Sequence, residues 1–159
     1  MPAGNTYTAI ATHTTTGTVS NYTFSSIPST YTDLVLVVND MGSDGSYNIR
    51  FNGDTGSNYS STFLYGESSG AFSARNSNVT AAPTVGRRPG NTIIQFQNYA
   101  NSTTNKTFIA RGNASNHMVI ATVSLWRSTA SITSLTIAPE GSGTFAAGVT
   151  LSLYGIAAA

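Results

Sequence analysis

The chain has 159 residues, of which 8% are charged and 59 are Ser, Thr or Asn, with seven Lys or Arg against six Asp or Glu and no cysteine. This charge content is about a third of the ~25% usual for soluble domains, so few groups exist for acid–base chemistry, and basic residues scattered apart from Arg87-Arg88 exclude the clustered cations of a nucleic-acid footprint. Disulfides and thiolate metal sites are excluded outright, two histidines are too few for zinc, and eight Tyr, seven Phe and one Trp suffice to fill a single core.

In chain order, residues 1–17 are Thr-rich and read as an N-terminal arm, in which Tyr7 to Ala11 could form a first strand. The start has neither a basic nor a long apolar stretch, so no signal peptide is expected. Residues 18–159 read as one domain. Residues 18–24 are β-prone and end before Pro28, which cannot donate to a ladder. Leu34-Val35-Leu36-Val37-Val38 is apolar on both faces and suits a central, covered strand. Residues 39–46 are dense in Gly and Asx and predict a turn. Tyr47, Ile49 and Phe51 alternate with Asn48 and Arg50 in a half-buried strand, and residues 52–58 turn the chain again before Thr62 to Tyr65 extend.

Residues 66–91 predict a long surface excursion holding one short strand around Ala71 to Ala74. Strands resume at 92–99, 107–111 and 118–126, the last being the longest apolar stretch. Residues 132–138 and 149–154 bracket a turn at 139–143, with Val149, Leu151 and Leu153 on one face. Nine or ten strands and almost no Glu or Lys predict an all-β fold of two packed antiparallel sheets, a β-sandwich of jelly-roll form.

Candidate chemistry is sparse. Gly66-Glu67-Ser68-Ser69-Gly70 matches the nucleophile-elbow pattern, but no helix follows it and no strand–helix alternation surrounds it. His13 and His117 sit among polar, β-prone residues. Asp40, Asp44, Asn52, Asp54 and Asn58 could offer oxygens to calcium, yet the spacing is not that of an EF-hand and Asx-Gly clusters form turns without metal. The expectation is therefore no catalytic residue, no metal and no cofactor. All six acids fall in or beside turns, so no strand carries the paired carboxylates of a glycosidase. Tyr59, Tyr65, Tyr99 and Trp126 could stack on sugars, although burial suits Trp126 better.

Several stretches resemble a β-sandwich domain that recurs in structural proteins of tailed-phage virions. They are residues 24–31, 49–59 from Ile49-Arg50-Phe51-Asn52-Gly53-Asp54 to Asn58-Tyr59, and 99–101 with Tyr99. They continue through Lys106, Trp126, residues 130–135 and residues 145–156 with Tyr154. The resemblance implies a structural role for Arg50, Asn52, Gly53, Asp54, Asn58, Tyr59, Tyr99, Lys106, Trp126 and Tyr154. It also implies a non-enzymatic virion protein, similar to head decoration, cement or tail components. With only a short arm before the domain and three alanines after it, the expectation is a capsid decoration (cement) protein. It would bind the outer surface of the head, touch the major capsid protein and copies of itself as a dimer or trimer, and contact neither nucleic acid nor membrane. Tyr7, Ile10, His13, Arg87 and Arg88 are the expected interface residues. The alternative is a tail-fibre or tail-associated adhesin gripping a host glycan.

Overall fold

The computed structural model describes residues 6–83, 86–115 and 118–157, with the backbone alone at 41, 43, 44, 87 and 88. Short hydroxyl and β-branched side chains leave the backbone little but extended structure to adopt. Ten strands form: β1 (Tyr7–Thr14), β2 (Tyr22–Phe24), β3 (Asp33–Phe51), β4 (Tyr59–Glu67), β5 (Gly70–Val79), β6 (Arg87–Phe96), β7 (Lys106–Ala114), β8 (Met118–Trp126), β9 (Leu135–Pro139) and β10 (Thr150–Ile156). No helix occurs among the described residues.

The strands make a β-sandwich of two antiparallel sheets. The larger has the order β1-β10-β3-β6-β7-β8-β4-β5, and the smaller is β2-β9-β3. Eight strands in one sheet and three in the other is more lopsided than the jelly roll expected from sequence, so the antiparallel sandwich is the description that stands. β1, inside the segment expected to be an arm, is an edge strand of the large sheet, with Tyr7 opposite Ile156 and Thr14 opposite Thr150.

β3 joins the sheets. Its residues 34–40 pair with β6 and its residues 47–51 with β9. Between them the register advances from Asp40 to Gly45 on β3 while β6 moves only from Gly90 to Arg88. A bulge of this kind bends a strand out of one sheet and into another. The Gly and Asx residues at 39–46 therefore do not end the strand, as their turn chemistry predicts; they corner it. Gly45 takes φ 152°, open to glycine alone. Asp40 is fully buried there, accepting from the Gly42 N–H at 2.7 Å and the Tyr47 hydroxyl at 3.0 Å. The expectation that no acid lies within a strand is thus corrected: Asp33, Asp40 and Asp44 lie in β3 and Glu67 ends β4, and Asp40 serves the corner.

The second departure is residues 66–91. Instead of a loose excursion, a two-residue turn at Ser68 and Ser69 closes a long hairpin in which Tyr59 to Glu67 pair with Gly70 to Val79. Polar composition hides this strand because almost nothing covers it: eight of its ten residues are exposed. Val85 lies outside the described residues.

Between the sheets, β8 alternates buried and exposed residues from Met118 to Trp126, the period-two signature of a strand with one covered face. Phe51 of the small sheet is the hub of the core. Its ring centroid lies 5.3 Å from Phe108, 5.3 Å from Trp126, 5.6 Å from Phe96 and 6.2 Å from Tyr59, all on the large sheet. Val149, Leu151 and Leu153 are buried together, as their alternation predicts.

Gly90 packs so closely on β7 that a Cβ would sit 1.9 Å from the Asn113 carbonyl oxygen. That neighbour is backbone within a paired strand and has no rotamer to change. Gly90→Ala is expected to cost about 2–3 kcal/mol of overpacking, read as a lowered urea midpoint; an unchanged midpoint would show that the two strands separate freely.

Candidate functional site

The residues of the Asn52 to Tyr59 segment fold into a buttress for the core. Asn52, at φ 51°, accepts hydrogen bonds from the N–H groups of Thr133 (2.9 Å) and Ser134 (3.0 Å) and donates to the Ser131 carbonyl at 2.7 Å. Gly53 follows at φ 68°. Asp54 then accepts from the Trp126 indole at 2.7 Å, from the Asn58 amide at 2.9 Å and from the Gly56 N–H at 2.8 Å. The Trp126 bond, helped by Asn58 and Gly56, holds its carboxyl below the usual aspartate range against the opposing effect of burial. These oxygens face N–H donors of the chain itself.

Tyr59, fully buried, stacks on Trp126 at 6.2 Å and receives the Phe51 N–H on its hydroxyl at 3.0 Å. Burial pushes its phenol up to about 12. The unfolded chain loses this proton near 10.0, and the folded chain holds it until higher pH. The resulting stability is whole below pH 10 and disappears as pH rises through about 12. Urea unfolding is expected to weaken across that window by about 2–3 kcal/mol, and Tyr59→Phe should flatten the loss; an equally steep decline in that variant would assign it elsewhere.

Of the remaining motif residues, Tyr99 and Lys106 are buried, Tyr154 is half-buried and Arg50 is exposed. Tyr99 is buried and donates to the Pro28 carbonyl, while burial raises its phenol. Lys106 is 2% exposed and donates to the carbonyls of Thr104 (2.8 Å) and Thr129 (3.1 Å), and burial pushes its ammonium below the usual lysine range. Arg50 donates to the Thr80 carbonyl at 2.9 Å, tying down the chain after β5. Tyr154 meets Tyr7 edge-on at 6.4 Å.

Of the aromatic candidates for sugar stacking, Tyr59, Tyr99 and Trp126 are therefore enclosed. Tyr65 is half-buried, with Phe63 at 6.2 Å and Phe72 at 5.1 Å in stacked contact. The nucleophile-elbow match is the β4–β5 hairpin turn, where the Ser69 hydroxyl bonds Glu67 at 2.8 Å.

The expected interface residues separate. Tyr7 is 55% exposed on the β1 edge. Ile10 occupies the bulge between Ala9 and Ala11 and packs on the core. His13 turns inward and stacks on Tyr22 at 3.9 Å. Arg87 and Arg88 open β6, but their side chains lie outside the described residues, as do the side chain of Asp44 and the whole of His117.

A surface not foreseen from sequence lies on the outer face of the large sheet. Strand register aligns Arg75, Thr62, Val123, Ile109 and Gln95 in one row and Ser73, Leu64, Ala121, Arg111 and Ile93 in the next, with Ala71, Gly66, Val119 and Asn113 beyond. Val119 is 63% exposed, Leu64 61% and Val123 54%. Two adjoining shallow grooves of about 440 and 520 Å³ run over Leu64, one beside Val123 and Arg75, the other beside Val119 and Arg111. These rows hold two arginines and no acid. The sequence showed Met118 to Trp126 only as an apolar run, because an apolar residue on the open face of a strand is indistinguishable in sequence from one facing the core.

Comparison with protein-family models finds no match to the chain, and comparison with curated proteins returns none of significant similarity.

Proposed function

We propose that the chain is a non-enzymatic structural protein of a tailed-phage virion, a decoration or cement protein on the outer surface of the head that stabilises contacts between major capsid protein subunits. One observation carries this reading beyond the resemblance: the large sheet turns Leu64, Ile93, Ile109, Val119 and Val123 outward on a single face. A contiguous apolar area on a sheet marks a protein-binding surface. The motif residues support the same reading, because Asp54, Tyr59, Tyr99, Lys106 and Trp126 brace the sandwich by contacts within the chain and none of them lies on the apolar outer face. The partner is apolar where it meets Leu64 and Val119 and acidic where it meets Arg75 and Arg111. Many such contacts over a symmetric shell add up to firm attachment even when each is weak.

The adhesin alternative has lost three of its four stacking rings to the core. A moderate-resolution density map of the particle tests the proposal, with this sandwich expected on the head surface at joints between capsid subunits. Density confined to the tail, or absence of the protein from purified particles, would reject it.

A further inference from the structure

The large sheet ends in two strands paired on one side only, β1 and β5. Such a strand leaves alternate N–H and C=O groups turned outward, ready to pair with another chain, and proteins guard it with lysines, prolines, bulges or shortness. β1 is guarded: its register breaks at the bulge between Ala9 and Ala11. β5 is not. It is ten residues long, contains no Pro and no Lys, and keeps unbroken register with β4 from Gly70 to Ser77, the irregularity falling only at its far end. Eight of its ten residues are exposed, so both of its faces are open as well as its edge.

We propose that β5 is a self-association edge: two copies pair β5 against β5 antiparallel about a two-fold axis, joining their large sheets into one of sixteen strands. A second copy is the fitting occupant for three reasons. The strand carries a single charge, Arg75, and the whole chain only +1, so like-charge repulsion is slight. Any register not centred on residue 75 keeps Arg75 away from its own copy. A ten-residue pair runs ~33 Å and, with the side chains flanking it, buries on the order of 1,000–1,300 Å² in total, at the lower bound of specific interfaces. The guarded β1 edge prevents continuation, so association closes at the dimer instead of growing into a filament.

This inference does not depend on the virion reading, and it is tested on the purified full chain. Sedimentation velocity from about 1 to 100 μM is expected to show a dimer dissociating in the micromolar range, as its small interface implies. Ser73→Lys with Ser77→Lys places like charges along the edge and should weaken the dimer about tenfold or more, while circular dichroism stays that of the folded sandwich. Val119→Ser with Val123→Ser, on the outer face, should leave the dimer intact. Because the native chain has no cysteine, single cysteines at positions 71, 73, 74 and 77 can be oxidised one at a time, and disulfide yield should peak at one position near the two-fold axis. A monomer at 100 μM, a dimer lost to the serine pair but not to the lysine pair, or disulfide yields without a maximum would each overturn the proposal. A β5 dimer that fails to bind particles would instead sink the decoration reading alone.

Discussion

Phe51→Ala is expected to destabilise the protein by about 3–5 kcal/mol, a large share of the 5–15 kcal/mol that holds a typical domain together. Phe51 is fully buried at the end of β3, where the chain has crossed into the small sheet, and its ring meets Phe96, Phe108, Trp126 and Tyr59 across the sandwich. Truncation would remove one partner from each of these edge-on or tilted ring pairs at once and leave a cavity that paired strands cannot collapse to fill. For a domain of this size the melting temperature should fall by roughly 10–15 °C. Phe51→Leu, which keeps most of the volume, should lose far less. A calorimetric loss below about 1 kcal/mol for the alanine variant would mean that the two sheets are held together elsewhere.

Leu64→Asp combined with Val119→Asp is expected to lower occupancy on particles at least 100-fold, equivalent to about 2.8 kcal/mol, with little change in the melting temperature. Both side chains are more than half exposed in the free protein, so an aspartate at either position remains hydrated and the fold does not notice it. Against the proposed partner each carboxylate would lose water to an apolar surface, while Arg75 and Arg111 beside them are engaged by the partner's acidic groups. In the proposed docking only Arg75 and Arg111 bring charge from this side, so moderate salt should weaken attachment only modestly, because screening acts on exposed charges and hardly on apolar contact. Occupancy of the double variant equal to that of the native chain, measured by gel densitometry of banded particles, would remove the outer face from the docking surface.

Local chemistry fixed much of the architecture. The continuous run Leu34 to Val38 lies in a central strand between β10 and β6, and Tyr47, Ile49 and Phe51 are all fully buried. Met118 to Trp126 is a strand over its whole length, as its apolar and β-branched run predicts. Trp126 is buried on the covered face of β8, with its indole N–H donating to Asp54.

The parts that sequence could not decide are those where a non-local partner reverses a local preference. Gly42, Gly45 and their Asx neighbours favour a turn. They lie instead in a bulged strand because β6 on one side and β9 on the other continue the ladder past them. Gly70 to Val79 has the composition of a loop, and only pairing with β4 orders it. Asn52 and Asp54 lie in Asx-Gly turns whose oxygens find their partners only in the folded chain, from Trp126 and the 131–134 segment, which arrive from far along the sequence with N–H donors. The same holds for function. Composition determined that this would be a charge-poor, hydroxyl-rich all-β chain; tertiary structure decided which apolar side chains went inside and which were left on the outer sheet. Strand alternation determines that two faces exist, but only the second sheet determines which of them is covered.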